Sequence, residues 1–462
     1  MVWTSARTVA IAVSGGLAAC ASAAPPLSLH PDNPHYFLFR GKPTVLITSG
    51  EHYGAVLNLD FDYVTYLDEL HRHGLNLTRT FSGMYCEEWG EGWNTLNPPR
   101  DRYLSPWARS DTPGYPDGGN KFDLDRWDEA YFARLRDFVA EAGKRDILVE
   151  LVLFCVFYGD GQWNLCPLNA QNNVNGIGTA GRAHVYDESD PAMMAVQERM
   201  VRRIVEALRE SDNVYFELCN EPYFEGPVVG SPWNDRLIHV IREASETHLV
   251  ALNVANGSQQ VERMHEGLSI LNFHYCAPPD AVGMNWRHHV AVSYDESGFA
   301  GNDGDVYRRH AWDFLLAGGA VFSNLDWSFT VDSPQGLSTA ADDNLGPTDP
   351  NLRPQLGHLK RFLEGFDFVR MQPDYAVVRG GVPEGATARV LAEPGRQYAV
   401  YVNGGEQAEL QLELPAGEYA VEWLNTRLGT VARQETLNHA GGAATLASPG
   451  YQGDIALAMR AR

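Results

Sequence analysis

The chain is short of positive charge, poor in cysteine and without any apolar run long enough to cross a bilayer. Its 36 Lys and Arg stand against 59 Asp and Glu, a formal charge of −23. A surface that acidic repels phosphate backbones and anionic lipid, so nucleic acid is excluded as a partner. Of the six cysteines, Cys20 lies in the amino-terminal segment. The other five, Cys86, Cys155, Cys166, Cys219 and Cys276, are too odd in number for a complete disulfide framework. Cys155, Cys219 and Cys276 fall within predicted strands, as small buried hydrophobes; Cys86 and Cys166 fall in long loops and could pair. No Cys-x-x-Cys, His-Glu-x-x-His or other metal-ligand spacing occurs, so neither a catalytic metal nor another cofactor is expected.

The amino terminus reads as an export signal, residues 1–23. Arg7 gives the positive start, Thr8 to Leu17 a short apolar run, and Ala21-Ser22-Ala23 a small-residue cleavage site. That run is too short to span a membrane. Leu17-Ala18-Ala19-Cys20 also resembles a bacterial lipobox, which would leave Cys20 as a lipidated mature terminus. Either reading places the folded protein outside the cytoplasm: periplasmic, anchored to the outer membrane or secreted. A lipid on Cys20 would be its one tie to a membrane.

At 462 residues the chain is longer than one core usually holds. Leu29 to Arg40 reads as a short β-hairpin, and strands then alternate with helices. Predicted strands are Thr44–Thr48, Leu75–Phe81, Ile147–Phe154, Asn213–Leu218, Leu249–Val254, Ser269–Tyr275, His289–Tyr294 and Ala320–Leu325. Helices fall over Asp60–His73 with Gly74 behind it, after a cap at Asp125, after Asp190-Pro191, and over Pro232–His248, Val306–Leu316 and Leu352–Phe366; that of the sixth unit is poorly marked. Eight strand–helix units in order imply an α/β fold, a (β/α)8 TIM barrel over residues 24–370. Past Met371 short alternating runs such as Tyr398–Val402 and Tyr419–Trp423, separated by Gly, Pro and Asn turns, predict a small C-terminal β-sandwich over 371–462 that packs on the barrel.

Two connections are far longer than such turns usually are. Gly83–Leu124 carries Trp89, Trp93, Trp107 and Tyr115; Phe157–Ser189 carries a polar stretch, Asn169–Gly178. Both follow strands, so both are expected to rise as walls over the face where barrel enzymes keep their chemistry.

The stretch Asn213–Pro222 is the richest in chemistry. A buried strand runs out on Asn220 and Glu221, and Pro222, which has no N–H to donate, ends the ladder just where the carboxylate appears. This Asn-Glu-Pro ending resembles the fourth strand of clan A glycoside hydrolases, particularly glycoside hydrolase family 5. A seventh strand that ends in Glu296, with Gly298 two residues on, is similar to the same clan. The resemblance covers about residues 40–370. It implies Glu221 as acid/base and Glu296 as nucleophile, two carboxyl groups about 5 to 5.5 Å apart on either side of a glycosidic bond. Asp295 is the rival nucleophile; strand neighbours point to opposite faces, so only one of the two is expected to face substrate. Arg79 resembles the family's second-strand Arg, expected beside Glu296. Glu221, next to an ionised Glu296, is expected to be protonated when substrate binds. Asn220 corresponds to the Asn that binds the sugar 2-hydroxyl, and Trp327 to the platform under the cleaved sugar. His274 and Tyr275 resemble the sixth-strand pair, but here they are adjacent, which leaves open which one faces the site. Glu51 and His52, at the tip of strand 1, are candidates for sugar hydroxyl contacts. Glu150 and Glu217 lie inside strands rather than at their ends; Glu217, roughly 13 Å below Glu221, is expected to pair with a buried base rather than with substrate.

The expectation is therefore a retaining glycosidase acting on an oligo- or polysaccharide, with the long loops favouring exo cleavage of a terminal β-linked sugar. The alternatives are a non-catalytic glycan-binding surface lipoprotein and a transglycosylase using the same two Glu. For the amino terminus, mass spectrometry of the mature protein is expected to find a diacylglycerol-modified Cys20 or a terminus just after Ala23. An intact Met1 would overturn both.

Overall fold

The computed structural model describes residues 25–90, 94–224, 229–339, 346 and 348–462. The export-signal residues Arg7, Thr8–Leu17, Cys20 and Ala21–Ala23, and also Trp93, lie outside the described residues. Eight strands form one parallel sheet: β1 Leu46–Gly50, β2 Leu77–Phe81, β3 Leu148–Cys155, β4 Val214–Asn220, β5 Val250–Asn256, β6 Ile270–His274, β7 Ala291–Ser297 and β8 Val321–Leu325. Strands covered on both faces read as unbroken apolar runs; every residue of β3 and of β4 is buried. The two edges of the sheet, β1 and β2, meet through Asn76, whose N–H donates to the Ile47 carbonyl at 3.2 Å and whose Oδ1 accepts from the Ile47 N–H at 2.9 Å. The sheet thereby closes into a barrel.

The helices begin where the sequence offers a cap. Asp62 Oδ1 accepts from the N–H groups of Val64 and Thr65, both at 3.1 Å, to start Tyr63–Arg72, and Gly74 follows it in the left-handed region at φ +74°. Asp190 caps Pro191–Ala207 with proline at its first position. Three expectations need correction. The helix Glu129–Gly143 is capped by Asp128, not Asp125, because Asn120–Trp127 continues as a strand paired with Trp107–Pro113 inside the first long loop. The fifth unit has no helix, since residues 257–269 contain only turns and bends between β5 and β6. Cys86 and Cys166 do not pair: Cys166 Sγ lies 3.6 Å from Met84 Sδ, while Cys86 faces Asn97, and all five described cysteines are free and buried. The weakly marked sixth unit does hold a short helix, Asp280–Asn285. Among the described residues no helix is long and apolar enough to cross a membrane.

Beyond the barrel, antiparallel strands form a six-stranded and a three-stranded sheet that face each other as a β-sandwich. Strict alternation divides each strand between two jobs. In Gln397–Asn403, Tyr398, Val400 and Val402 enter the sandwich core, whereas Ala399 and Tyr401 join the core of the barrel. The contact is made with the barrel helix Gly304–Leu316, where Trp312 stacks on Tyr401 at 5.4 Å between centroids. Arg308 of that helix pairs with Asp454, both side chains fully buried. Asp454 also accepts from Thr426 at 2.7 Å and Tyr401 at 3.1 Å. Without Asp454 the buried Arg308 keeps only the Asp305 carboxylate, at 2.6 Å, and the Thr426 and Tyr401 hydroxyls lose their acceptor. Asp454→Ala is therefore expected to destabilise the protein by about 3 to 5 kcal/mol, read as a lower urea midpoint, whereas Arg427→Ala at the more open pair with Asp305 should cost under about 1 kcal/mol.

Candidate active site

Three local departures from regular strand geometry bring the chemical groups together. After β4, Glu221 takes a left-handed backbone at φ +49°, and its carbonyl accepts from the Phe224 N–H at 3.1 Å in a tight turn. After β6, Tyr275 does the same at φ +48°. In β7 the register slips against both neighbours: Ser293 and Glu296 lie opposite Asn272 and His274, and Tyr294 and Ser297 opposite Phe322 and Asn324, so each time a span of β7 faces a shorter one. This bulge cancels the alternation expected of Asp295 and Glu296. Both point into the barrel, and both approach Arg79 and His274. They differ in depth. Glu296 lines the cavity at the mouth, while Asp295 is fully buried beneath it, 2.9 Å from Asn272 Nδ2. The left-handed turn at Tyr275 likewise lets both members of the adjacent pair reach the site, so the choice between His274 and Tyr275 does not arise.

Arg79 is the hub, and it is fully buried. Its Nη1 donates to Glu296 Oε2 at 3.0 Å, its Nη2 to Glu217 at 3.0 Å and to Asn220 Oδ1 at 2.6 Å. Glu296 also accepts from the Tyr275 hydroxyl at 2.5 Å. Burial opposes ionisation of Glu296, but the charges of His274 and Arg79 outweigh it and hold the carboxyl below its usual range. His274 Nδ1 lies 3.2 Å from Glu221 Oε1 and 3.7 Å from Glu296 Oε1; Nε2 lies 3.6 Å from Asp295. Burial works against its charge, yet the carboxylates of Glu296 and Asp295 raise the imidazole well above its ordinary value, so it is a cation. Glu217 pairs with Arg79 as expected, and burial pushes its carboxyl up to about 7. Glu150 is bonded through Asn272 Nδ2 at 2.7 Å, and burial, then the charges of Asp295 and Glu217, drive its carboxyl well up. Glu221, His274 and Glu296 place one polar atom each within 4.8 Å of the others. A divalent ion would need that imidazole neutral, but the positive charge the cluster needs already comes from Arg79 and His274.

The cavity at the strand tips has a volume of about 790 Å³. Glu221, Glu296, Asn220, Tyr275, His52 and Trp327 all line it, with the His52 and Trp327 rings 5.5 Å apart. Burial lowers His52 to about 4, so it is neutral. Glu51 is a correction: it points away from the cavity. Its Oε1 accepts from the N–H groups of Tyr53 and Gly54, both at 2.5 Å, and so ties down the turn after β1. Both long loops do form walls, but with other residues than the aromatics marked in the sequence. Trp107 and Tyr115 are buried inside the loop's own core, on Trp127 and Phe122, and Arg100 lies over Trp89. Glu87 and Asn94 from the first loop and Tyr158 and Gln162 from the second face the cavity. Sequence reasoning missed these four, because single polar residues in a long connection carry no periodicity.

A model of the cellulase family, glycosyl hydrolase family 5, matches residues 72–311, more than half of the chain. The chain belongs to glycoside hydrolase family 5. Solved structures agree on the fold. A family 5 glycoside hydrolase from Bacteroides vulgatus superposes with a TM-score of 0.63 at 14% identity, over 94% of this chain and 93% of its own. A second Bacteroides vulgatus protein gives a TM-score of 0.69 at 13% identity, over 95% and 83%. No curated protein matches the sequence. This family 5 glycosidase thus acts on carbohydrate, and its two candidate acids stand at the tips of its fourth and seventh strands. Its buried acids also make its stability depend on pH. Burial raises Glu51 from 4.5 to about 7, so this carboxyl favours the fold while protonated and costs it roughly 3 kcal/mol as the pH rises from 4.5 through 7. Glu51→Gln is expected to narrow the gap in urea stability between pH 5 and pH 8; an unchanged gap would overturn the assignment.

Proposed function

We propose that the enzyme is a retaining glycosidase that works by double displacement, with Glu296 as nucleophile and Glu221 as acid/base. The observation that carries this reading is the approach of the two carboxyl groups, with oxygen atoms within 4.8 Å. Retaining enzymes separate the groups by about 5 to 5.5 Å, whereas inverting enzymes leave roughly 6.5 to 9.5 Å for a water between them. The surroundings suit the two roles. Arg79, His274 and the Tyr275 hydroxyl keep Glu296 ionised and ready to attack. Glu221 Oε1 faces the gap beside His274 and Glu296, where a leaving oxygen would receive its proton.

Glu296 attacks the anomeric carbon as Glu221 protonates the departing oxygen. The charge on Glu296 disappears into the ester, and Glu221 then takes a proton from the water that releases the sugar. Asn220 would meet the 2-hydroxyl, and Trp327 would lie under the sugar. Walls supplied by both long loops favour a pocket for one terminal sugar over a groove for a long chain, and the likeness to clan A suggests a β-linked one. The amino-terminal sequence fits an exported enzyme that meets glycans outside the cytoplasm.

An activated 2-deoxy-2-fluoro β-glycoside is expected to label Glu296 covalently, seen as a mass increase on its peptide. Glu296→Gln should abolish the label and lower kcat by at least about 10⁴-fold. Inversion at the anomeric carbon, read by NMR of the first product, would end the double-displacement reading. Release of long oligosaccharides before any monosaccharide would end the exo reading.

A further inference from the structure

Tyr158 lies three residues past the end of β3, where the second long loop begins, and 36% of it is exposed, facing the cavity. Its ring is held at its edges by Phe224 and Tyr85, with centroids 5.5 and 6.3 Å away. Its hydroxyl is 2.5 Å from Glu221 Oε2 and 2.9 Å from Asn220 Nδ2. The direction of these bonds follows from chemistry. A guanidinium only donates, so the Asn220 oxygen must face Arg79, 2.6 Å away, and its NH₂ must face Tyr158. The phenol oxygen accepts there, and its single proton is left for Glu221. A one-way chain therefore runs from Arg79 through Asn220 and Tyr158 to Glu221, while the same guanidinium donates to Glu296.

We propose that Tyr158 is a positioning residue for the acid/base: its hydroxyl takes Oε2 of Glu221, so that the transferable proton belongs on Oε1, the oxygen that faces Glu296 and also accepts from His274 Nδ1 at 3.2 Å. The proposal rests on the retaining reading above. In the first step a bond forms from a Glu296 carboxylate oxygen to the anomeric carbon, and the glycosidic carbon–oxygen bond breaks. Its electron pair goes to the leaving oxygen, which takes the proton from Oε1. Glu221 is then a carboxylate, and the Tyr158 bond becomes charge-assisted, hence stronger. An interaction that strengthens as the reaction proceeds lowers the barrier. In the second step water loses its proton to Oε1, its oxygen bonds to the anomeric carbon, and the bond to Glu296 breaks.

The test compares leaving groups. An aryl β-glycoside panel (glucoside, galactoside, mannoside, xyloside) first fixes the sugar. Its phenyl glycoside, whose leaving oxygen needs a proton, is then set against its 2,4-dinitrophenyl glycoside, which needs none. For Tyr158→Phe, kcat/KM on the phenyl glycoside is expected to fall about 10²-fold while the dinitrophenyl glycoside changes by under about threefold. The thermal midpoint should stay near that of the wild type. Equal losses on both substrates, or no loss on either, would overturn the proposal, because a merely structural tyrosine does not distinguish leaving groups. Glu221→Ala separates the two levels of the argument. If it shows the same selectivity and Tyr158→Phe does not, only the role of Tyr158 falls; if Glu221→Ala lacks it, the acid/base reading falls and takes Tyr158 with it.

Discussion

A fully buried guanidinium holds this site together. Arg79 projects from β2 into the barrel and meets groups from β4 and β7, and each of those groups is an acid or an amide in or directly beneath the candidate site. Taking such a charge out of water is expensive, and the cost is met only where every donor finds a partner. That condition fixes the geometry: Glu217 below, Asn220 beside and Glu296 above cannot move independently without leaving an N–H unpaired. The crowd of carboxyl groups under the cavity follows from the same constraint. Arg79 and His274 supply two positive charges to five acids, Glu150, Glu217, Asp295, Glu221 and Glu296. The deeper acids respond by rising towards neutrality, as Glu150 and Glu217 do, whereas Glu296 stays charged.

Regular strands alone would not build this centre. A strand sends alternate side chains to opposite faces, so adjacent residues such as Asp295 and Glu296, or His274 and Tyr275, should part company. The barrel breaks the rule three times at the same height, with left-handed residues at Glu221 and Tyr275 and a bulge in β7. Side chains with a Cβ adopt such backbones at a cost, and these conformations gather where function needs them. Here each break turns one more polar group towards the gap between the two acids.

Much of this could be read from the amino acids alone. Apolar runs separated by capped helices gave the barrel, and alternation past Met371 gave the sandwich. The ends of β4 and β7 drew notice as carboxylates closing apolar runs, and the resemblance to clan A singled out Glu221 and Glu296 among them; the structure brings both to one cavity. Legibility failed where a side chain's place depends on local backbone geometry, a bulge, a turn or a hairpin, that leaves no mark in residue type. Asp295 was expected to point away since a bulge leaves no mark in composition. Glu51 looked like a substrate ligand, but its partners are backbone N–H groups two and three residues on, a local turn that a charged side chain does not announce. Asp125 was read as a cap because the strand that contains it pairs with one thirteen residues back, in a loop whose own core is made of Trp107, Tyr115 and Phe122. The cavity walls of Glu87, Asn94, Tyr158 and Gln162 were invisible for the same reason.

The sandwich is joined to the helix that follows β7 through a salt bridge, Arg308 with Asp454, that no solvent reaches. A module attached by a flexible tether can be moved between enzymes as a cassette, but this one cannot. A barrel inheriting Arg308 without Asp454 would keep only the Asp305 carboxylate beside that buried cation, and a transplanted sandwich would carry Asp454 with only the Thr426 and Tyr401 hydroxyls to meet its charge. Exchanging one half alone would therefore leave ionic partners unmatched on both sides of the joint.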